Sequence, residues 1–301
     1  MEISELHIAV KSSLTSAELD DVGALVAEAR WNQTADDWRL FIQRGRVHAA
    51  HTPEGRIIAT AATLPYGDRF AWVSMVLVAG QYRRRGLATL LMRRAMDDLS
   101  AARLVPVLDA TPDGRPVYLA LGFTDCWGFH RLRRERQGAQ DAACDAVCAP
   151  AGVVIRAVTD ADWLALRAYD AAAFGAQRSP VLAGLRGRLP AVELIAESGN
   201  RIVGFCMGRD GRIAAQIGPL VAESDAIACA ILSCALAGID APVFVDLADA
   251  KGEVRTFPEA RGFAPARPFT RMLLGAPTRF DDPARTFAVV GPEFGSATDS
   301  I

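Results

Sequence analysis

Apolar and polar positions alternate along this chain in two rhythms, one helical and one of period two, and the order of the rhythms repeats. Leu19, Val22, Leu25, Val26 and Ala29 recur at helical spacing behind the polar pair Thr15 and Ser16, which predicts a capped amphipathic helix over 17–29. A second short helix is predicted over 36–43. Runs rich in β-forming residues at 46–50 and 57–64, separated by Pro53-Glu54-Gly55, predict a hairpin, and 70–78 the next strand. The pattern breaks at 80–86 and resumes with helical period through Leu87, Leu90, Leu91 and Ala95. Strand, glycine turn and helix therefore follow one another. A strand at 104–108, a short helix at 116–121 closed by Gly122, and a strand at 127–133 complete the first half.

Gln137 to Gly152, with its small and acidic residues and Pro150, reads as a linker. The order then begins again. It runs through a strand at 153–157, a helix from Asp160 to Ala172, a hairpin of 192–197 and 202–209 about Gly199-Asn200, a strand at 213–217, a helix at 226–236 and a strand at 243–246. Arg261-Gly262-Phe263 echoes Leu121-Gly122-Phe123. The chain is a divergent tandem repeat, with domains expected over 1–140 and 150–291.

Composition narrows the class. With 301 residues, 51% apolar and 23% charged, the chain has the length of two domains and the balance of a folded globular protein, which excludes disorder as its main state. The longest apolar stretch, Ala226 to Ile239, spans 14 residues, short of the ~20 of a membrane-crossing helix. No basic segment followed by an apolar run opens the sequence, so a cytoplasmic location with no membrane partner is expected. Cys126, Cys144, Cys148, Cys206, Cys229 and Cys234 contain no C-x-x-C pair and have no histidine at zinc spacing. Packed, reduced thiols and no metal are expected.

Charge locates the chemistry. The formal net charge is −2, yet from Gln81 to Arg136 eleven arginines face six acids, Asp97, Asp98, Asp109, Asp113, Asp125 and Glu135. Inside that segment stands Val76-Leu77-Val78-Ala79-Gly80-Gln81-Tyr82-Arg83-Arg84-Arg85-Gly86-Leu87-Ala88. A strand running through a turn into a helix aims unpaired backbone N–H groups and the positive end of the helix dipole at one point, which attracts phosphate. Gly86 and Ala88 keep side chains away from that point.

Arg83-Arg84-Arg85-Gly86-Leu87-Ala88 fits the pyrophosphate loop of the GNAT superfamily of acyl-CoA-dependent N-acetyltransferases, Arg or Gln, two residues, Gly, one residue, Gly or Ala. Tyr118-Leu119-Ala120-Leu121-Gly122-Phe123 matches the family's second landmark after the next strand. The first half, about residues 5 to 136, thus resembles a GNAT enzyme. In the second half Ile217-Gly218-Pro219-Leu220-Val221-Ala222 replaces the loop and Pro258 stands at the tyrosine position. With Trp31-Asn32-Gln33, Trp38 and Asp109-Ala110-Thr111-Pro112, the whole looks most like the bacterial tandem type with a degenerate C-terminal half, the YitH-like group.

That resemblance implies an α/β (α+β) architecture of two tandem GNAT folds, each a mixed, mostly antiparallel sheet flanked by helices, with acetyl-CoA as cosubstrate in the first and lost from the second. It implies that Val76, Leu77 and Val78 offer backbone groups to the pantetheine arm and thioester. Arg83, Arg84, Arg85, Gly86, Leu87, Ala88 and Thr89 would hold the pyrophosphate, and Thr111 and Gly114 fall where relatives touch the cofactor, Thr111 in place of a common Asn. Tyr118 matches the general acid, the alternative being a core tyrosine. For the base, Asp109 and His130 remain open beside a solvated carboxylate and a half-buried histidine. Trp31, Asn32 and Gln33, with His130, would line the acceptor side, while Trp38, at helical spacing with Phe41 and Ile42, reads as core. Asp246 and Asp249 either face a cationic acceptor or form a surface turn.

The expected partner is a small-molecule amine, with the protein a monomer or homodimer. Two other classes compete. One is a non-catalytic acyl-CoA sensor, which needs the loop but not Tyr118. The other is a nucleic-acid module using Tyr82 to Arg85 and Arg131 to Arg136 as a basic stripe, against which stands the acidic balance elsewhere.

Overall fold

The computed structural model describes residues 6–136, 147–275, 280 and 282–295. By internal contacts the chain forms two compact units, Met1–Leu108 with Leu273–Gly275, and Asp109–Met272 with Ala276–Ile301.

In the first unit, β1 (His7–Lys11), β2 (Arg46–His51), β3 (Ile57–Tyr66) and β4 (Phe70–Val78) pair antiparallel in that order, and β5 (Val105–Ala110) joins β4 in parallel. The hairpin and the 70–78 strand lie where alternation predicts them. α1 (Ser16–Glu28) starts in a capping box: Glu18 N donates to Thr15 Oγ1 at 3.3 Å and Thr15 N to Glu18 Oε2 at 2.9 Å, which satisfies two backbone donors at the helix start. Its stripe of Val22, Leu25 and Val26 is buried. α2 (Ala35–Arg44) buries Trp38 and Phe41, so Trp38 is core as its spacing predicts. α3 (Leu87–Ala101) buries Leu87, Leu91, Met92, Ala95 and Leu99. Leu87 and Leu91 pack with Ala50, Ile58, Ala59 and Ala61 of the sheet, and Val76, Val78 and Tyr82 cover that cluster's edge.

The second unit begins with α4 (Arg115–Ala120) and β6 (Phe123–Arg134). It continues through β7 (Val153–Ala157), α5 (Trp163–Phe174), α6 (Ser179–Leu185), β8 (Leu194–Ser198), β9 (Arg201–Arg209), β10 (Ala215–Ala222) and α7 (Asp225–Ala237). β11 (Val243–Ala248), α8 (Gly252–Glu259), β12 (Ala264–Leu274) and β13 (Thr286–Ala288) complete it. The strand order is β12-β6-β11-β13-β10-β9-β8-β7. The apolar 226–239 stretch becomes α7, whose Ala228, Ile231, Leu232 and Ala235 sit in one core with Leu220, Val243, Val245, Leu247 and Phe287.

Two features of this unit follow from no periodicity. β6, a strand of the first repeat, pairs antiparallel with β11 of the second, from Val243↔Arg134 to Ala248↔Phe129, and has β12 on its other side. α8 and β12 carry prolines or arginines in their apolar text (Pro258, Pro265, Arg267, Pro268, Arg271), and so read as breaks, while β13 is only three residues long. The expected linker falls outside the described residues over 137–146, and 147–152 is neither helix nor strand.

The sheet of the second unit buries charge. Arg131 donates to both Asp246 oxygens at 2.8 and 2.7 Å, Gln216 Nε2 reaches the same carboxylate at 3.2 Å, and Arg209 pairs with Glu293. All five residues are buried. Arg134 is buried as well. Two of the four arginines in the 131–136 run are thus buried, and Arg133 and Arg136 remain at the surface.

Candidate active site

In the first unit the β4–β5 register covers Phe70↔Val105, Ala71↔Pro106 and Trp72↔Val107, while β4 itself runs on to Val78. Beyond the last pair Met75 takes a φ of +52°, its carbonyl accepts from Thr60 Oγ1 at 2.7 Å, and the register against β3 slips between Thr60 and Ala62. This is a bulge, and it re-aims the strand just before Val76, Leu77 and Val78. Leu77 is buried, and Val76 and Val78 are partly exposed.

The turn that follows is braced. Arg83 Nε donates to the Val78 carbonyl at 2.9 Å and its Nη2 lies 3.0 Å from Glu28 Oε1. Arg83 thus shapes the turn, whereas Arg84 and Arg85 are exposed, with the Arg85 guanidinium 5.8 Å from the Tyr82 ring centroid. Gly86 caps α3 with φ +85°, a conformation that favours glycine, and a Cβ there would meet nothing within 4 Å. Leu90 N closes the first turn on the Gly86 carbonyl at 2.9 Å. The N–H groups of Leu87, Ala88 and Thr89, ahead of that first bond, have no acceptor within the helix. Backbone donors and two exposed guanidinium groups at one turn suit a pyrophosphate.

Trp31, Asn32 and Gln33 link α1 to α2. Asn32 and Gln33 are buried and Trp31 is half-buried. Gln33 Oε1 and Ser74 Oγ on β4 are buried polar atoms without a hydrogen-bond partner among the described residues.

In the second unit α4 presents Tyr118. Its half-buried ring lies 6.0 Å from Phe123, and burial pushes the phenol up to about 12. Gly114, at the N-terminal end of α4, makes this possible, since a Cβ there would stand 3.0 Å from Tyr118 Cε2. Thr111 Oγ1 accepts from Gly114 N at 3.2 Å, so its hydroxyl stabilises the turn into α4.

Asp109 has a different setting from the one expected of a base in reach of solvent. Arg271 of β12 donates to both its oxygens at 2.6 and 2.8 Å, and neither side chain is exposed. Burial pushes the Asp109 carboxyl up to about 6 against the pull of that guanidinium. Arg271 in turn lies 4.6 Å from the Trp127 ring centroid. No sequence signal singled out Arg271, because an arginine in a proline-interrupted run reads as loop surface.

His130, the other candidate base, contacts Asp249 through Nδ1 and Oδ1 at 2.6 Å. Of the two acids at the end of the second-repeat strand, Asp246 is sealed against Arg131, and Asp249 lines a cavity of about 220 Å³ with Trp127, Gly128 and Lys251. Gly128 is the one sequence signal for this contact: a glycine inside a strand marks a close approach.

The second repeat has its own strand pair in the place of β4 and β5. β10 and β11 pair in parallel over Ala215↔Val243 to Ile217↔Val245 and then separate. β13 fills the opening, pairing with β10 at Leu220↔Ala288 and with β11 at Leu247↔Ala288. Val289 N adds a bond to the Asp246 carbonyl at 3.0 Å. No cluster of metal-binding side chains occurs among the described residues, and no described helix is long and apolar enough to cross a membrane.

Comparison with known proteins agrees with this geometry. Residues 16–123 match the acetyltransferase (GNAT) family and residues 166–288 an acetyltransferase (GNAT) domain. A Bacillus subtilis (strain 168) protein described as the uncharacterized N-acetyltransferase YitH is 24% identical over 227 residues, 74% of this chain and 76% of its own. A putative acetyltransferase from Pyrococcus horikoshii shares the fold with a TM-score of 0.74 at 20% identity, over 97% of this chain and 96% of its own. A tandem GNAT protein from the clavulanic acid biosynthesis pathway does so with a TM-score of 0.65 at 14% identity, over 91% and 100%. With one GNAT match in each half and a fold shared along its length with a tandem protein, the chain belongs to the GNAT acetyltransferase superfamily as a tandem member.

Proposed function

We propose that the chain transfers an acetyl group from acetyl-CoA to the primary amine of a small molecule in the cytoplasm, with the first repeat, over 1–140, as the working domain and the second, over 150–291, without a cofactor. The observation that carries this reading is the β4–α3 junction, where a bulged strand leaves its neighbour and ends in a glycine-capped helix flanked by Arg84 and Arg85. The residues fit the cosubstrate: Gly86 leaves open space, and the N–H groups of Leu87, Ala88 and Thr89 suit the pyrophosphate.

When bound, acetyl-CoA supplies an acyl carbon activated as a thioester. The backbone of Val76, Leu77 and Val78 aligns the pantetheine arm and donates to the thioester oxygen as negative charge develops there. Tyr118 stays protonated across the working pH range, so its Oη–H is available to the departing sulfur. Desolvation that weakens the phenol as an acid raises the proton affinity of a desolvated thiolate too. Asp109 holds Arg271 and through it the Trp127 side of the second unit, a structural part distinct from proton transfer. The alternation of Trp31, Asn32 and Gln33 with the unpartnered Gln33 Oε1 supports an acceptor that brings its own hydrogen-bond donors.

Titration of acetyl-CoA onto the protein, followed by a thiol-release screen over small amines, tests this. Saturable binding that Gly86→Glu abolishes, with turnover on at least one amine, is expected. Binding without turnover on any amine favours the sensor instead, and unchanged affinity in Gly86→Glu overturns the loop assignment.

A further inference from the structure

The second unit holds a cavity of about 620 Å³ that the chemistry above does not use. Its wall comes from the end of β6 and from the turn between α8 and β12. Arg133, Arg134, Arg136 and Arg261 line it, and Glu135 is the one acid among its lining residues. Four positive charges and one negative therefore face one space, in a chain whose net charge is −2. The cavity adjoins the Arg134↔Val243 pair at the start of β11. The β10–β11 opening lies past Ile217↔Val245, toward the other end of that strand, so the cavity is separate from the place where β13 sits.

The guanidinium groups are placed by their surroundings. Arg261 stands 3.7 Å from the Phe257 ring centroid and donates from Nη1 to the Phe257 carbonyl at 3.3 Å. Arg134 is buried, 5.4 Å from the Phe263 ring centroid. An arginine held against a ring loses less freedom when an anion docks. α8 ends against this cavity, where open carbonyls at a helix C-terminus would repel an anion. They are occupied instead: the Pro258 carbonyl accepts from Arg261 N at 2.9 Å and from Phe263 N at 3.1 Å, and the Glu259 carbonyl from Gly262 N at 3.2 Å. Gly262 makes that cap possible with a φ of +77°, and a Cβ there would meet nothing within 4 Å. In the matching triplet of the first repeat, Leu121 stands at the position of Arg261, so this charge belongs to the second repeat alone.

The acids at the rim are exchangeable. Arg133 Nη2 donates to Glu135 at 3.1 Å, and Arg136 Nε and Nη2 donate to Asp240 at 3.1 and 2.9 Å. The Glu135 and Asp240 side chains are 71% and 74% exposed, and pairs so open to water contribute little, so an anion with two or more charges displaces them. We propose that this cavity binds a small polyanion, a compact molecule carrying two or more phosphate or carboxylate groups, with Arg133, Arg134 and Arg261 as its anchors. The arginine fork of N–H donors matches both groups, and cavities of this size take small molecules. The site lies in the second unit alone and is independent of whether the first repeat transfers an acetyl group.

Calorimetric titration of the full-length chain with inorganic pyrophosphate and, separately, with citrate tests it, each in the wild type and in Gly86→Glu, which places a carboxylate in the β4–α3 turn. Saturable binding of at least one probe that survives in Gly86→Glu is expected, weaker by about tenfold or more in Arg261→Gln and in Arg133→Gln and weaker as salt rises. Binding of both probes supports a site for either oxyanion, of pyrophosphate alone a phosphate ligand, and of citrate alone a carboxylate ligand. Amide hydrogen exchange of the wild type should slow over 131–136 and 259–266 when the probe is bound, a readout that stands even if a variant fails to fold. Four results overturn the proposal: no saturable binding of either probe, binding lost in Gly86→Glu but kept in both arginine variants, unchanged exchange over both segments with probe bound, or far tighter binding of a short single-stranded oligonucleotide that the arginine variants lose.

Discussion

Asp109 and Arg271 are joined by two hydrogen bonds between fully buried side chains, one at the end of β5 and the other on β12. Removing one partner of such a pair strands the other charge. Asp109→Ala is therefore expected to destabilise the fold by about 3–5 kcal/mol, measured by urea unfolding. A variant that unfolds like the wild type yet has lost turnover would instead restore Asp109 as the base.

Tyr118→Phe keeps the ring against Phe123 and removes the proton donor. We expect kcat to fall by about 100-fold, with acetyl-CoA affinity within about twofold of wild type by titration. Wild-type kcat in this variant would make Tyr118 a core residue.

On the proposed function, β13 in the β10–β11 opening leaves one cosubstrate site per chain. Calorimetric titration should find one acetyl-CoA per chain, and amide hydrogen exchange over 286–289 should stay unchanged at saturation while exchange over 76–90 slows. Two equivalents, or release of 286–289 by the ligand, would show that β13 yields its place.

Glu18 supplies an acid-limb test away from the site. Burial raises its carboxyl, but hydrogen bonds from Lys11 and Thr15 and the Lys11 charge outweigh it and hold the group down at about 2, against an ordinary 4.5. A depressed carboxylate contributes stability above its unfolded pKa and loses it as pH falls through the folded value. Wild-type stability should therefore decline between pH 4.5 and 2 more steeply than that of Glu18→Gln. Parallel curves would reject the box as a source of that stability.

The helices α1, α3 and α7 and the strands β2 to β4 were legible because one face of each is apolar at a fixed period, and the turn at Arg83 to Ala88 because a glycine there starts a helix. The site's second half was less legible. Asp109, Arg131 and Asp246 look like surface charges in a sequence, and only the pairing of strands far apart in the chain buries them against Arg271 and one another. Arg83 adds something the motif does not carry: its bonds to Val78 and Glu28 also brace the turn. His130 could be singled out from the sequence, but its partner 119 positions away could not.

The place of β6 has a consequence for how this chain can be handled. A cut anywhere in the segment between the repeats would take β6 away from β11, leaving the backbone of Val243–Ala248 as an open edge and stranding the Asp246 carboxylate without Arg131. Open edges recruit other chains. Each half expressed alone should therefore aggregate, because a strand of the first repeat closes the sheet edge of the second.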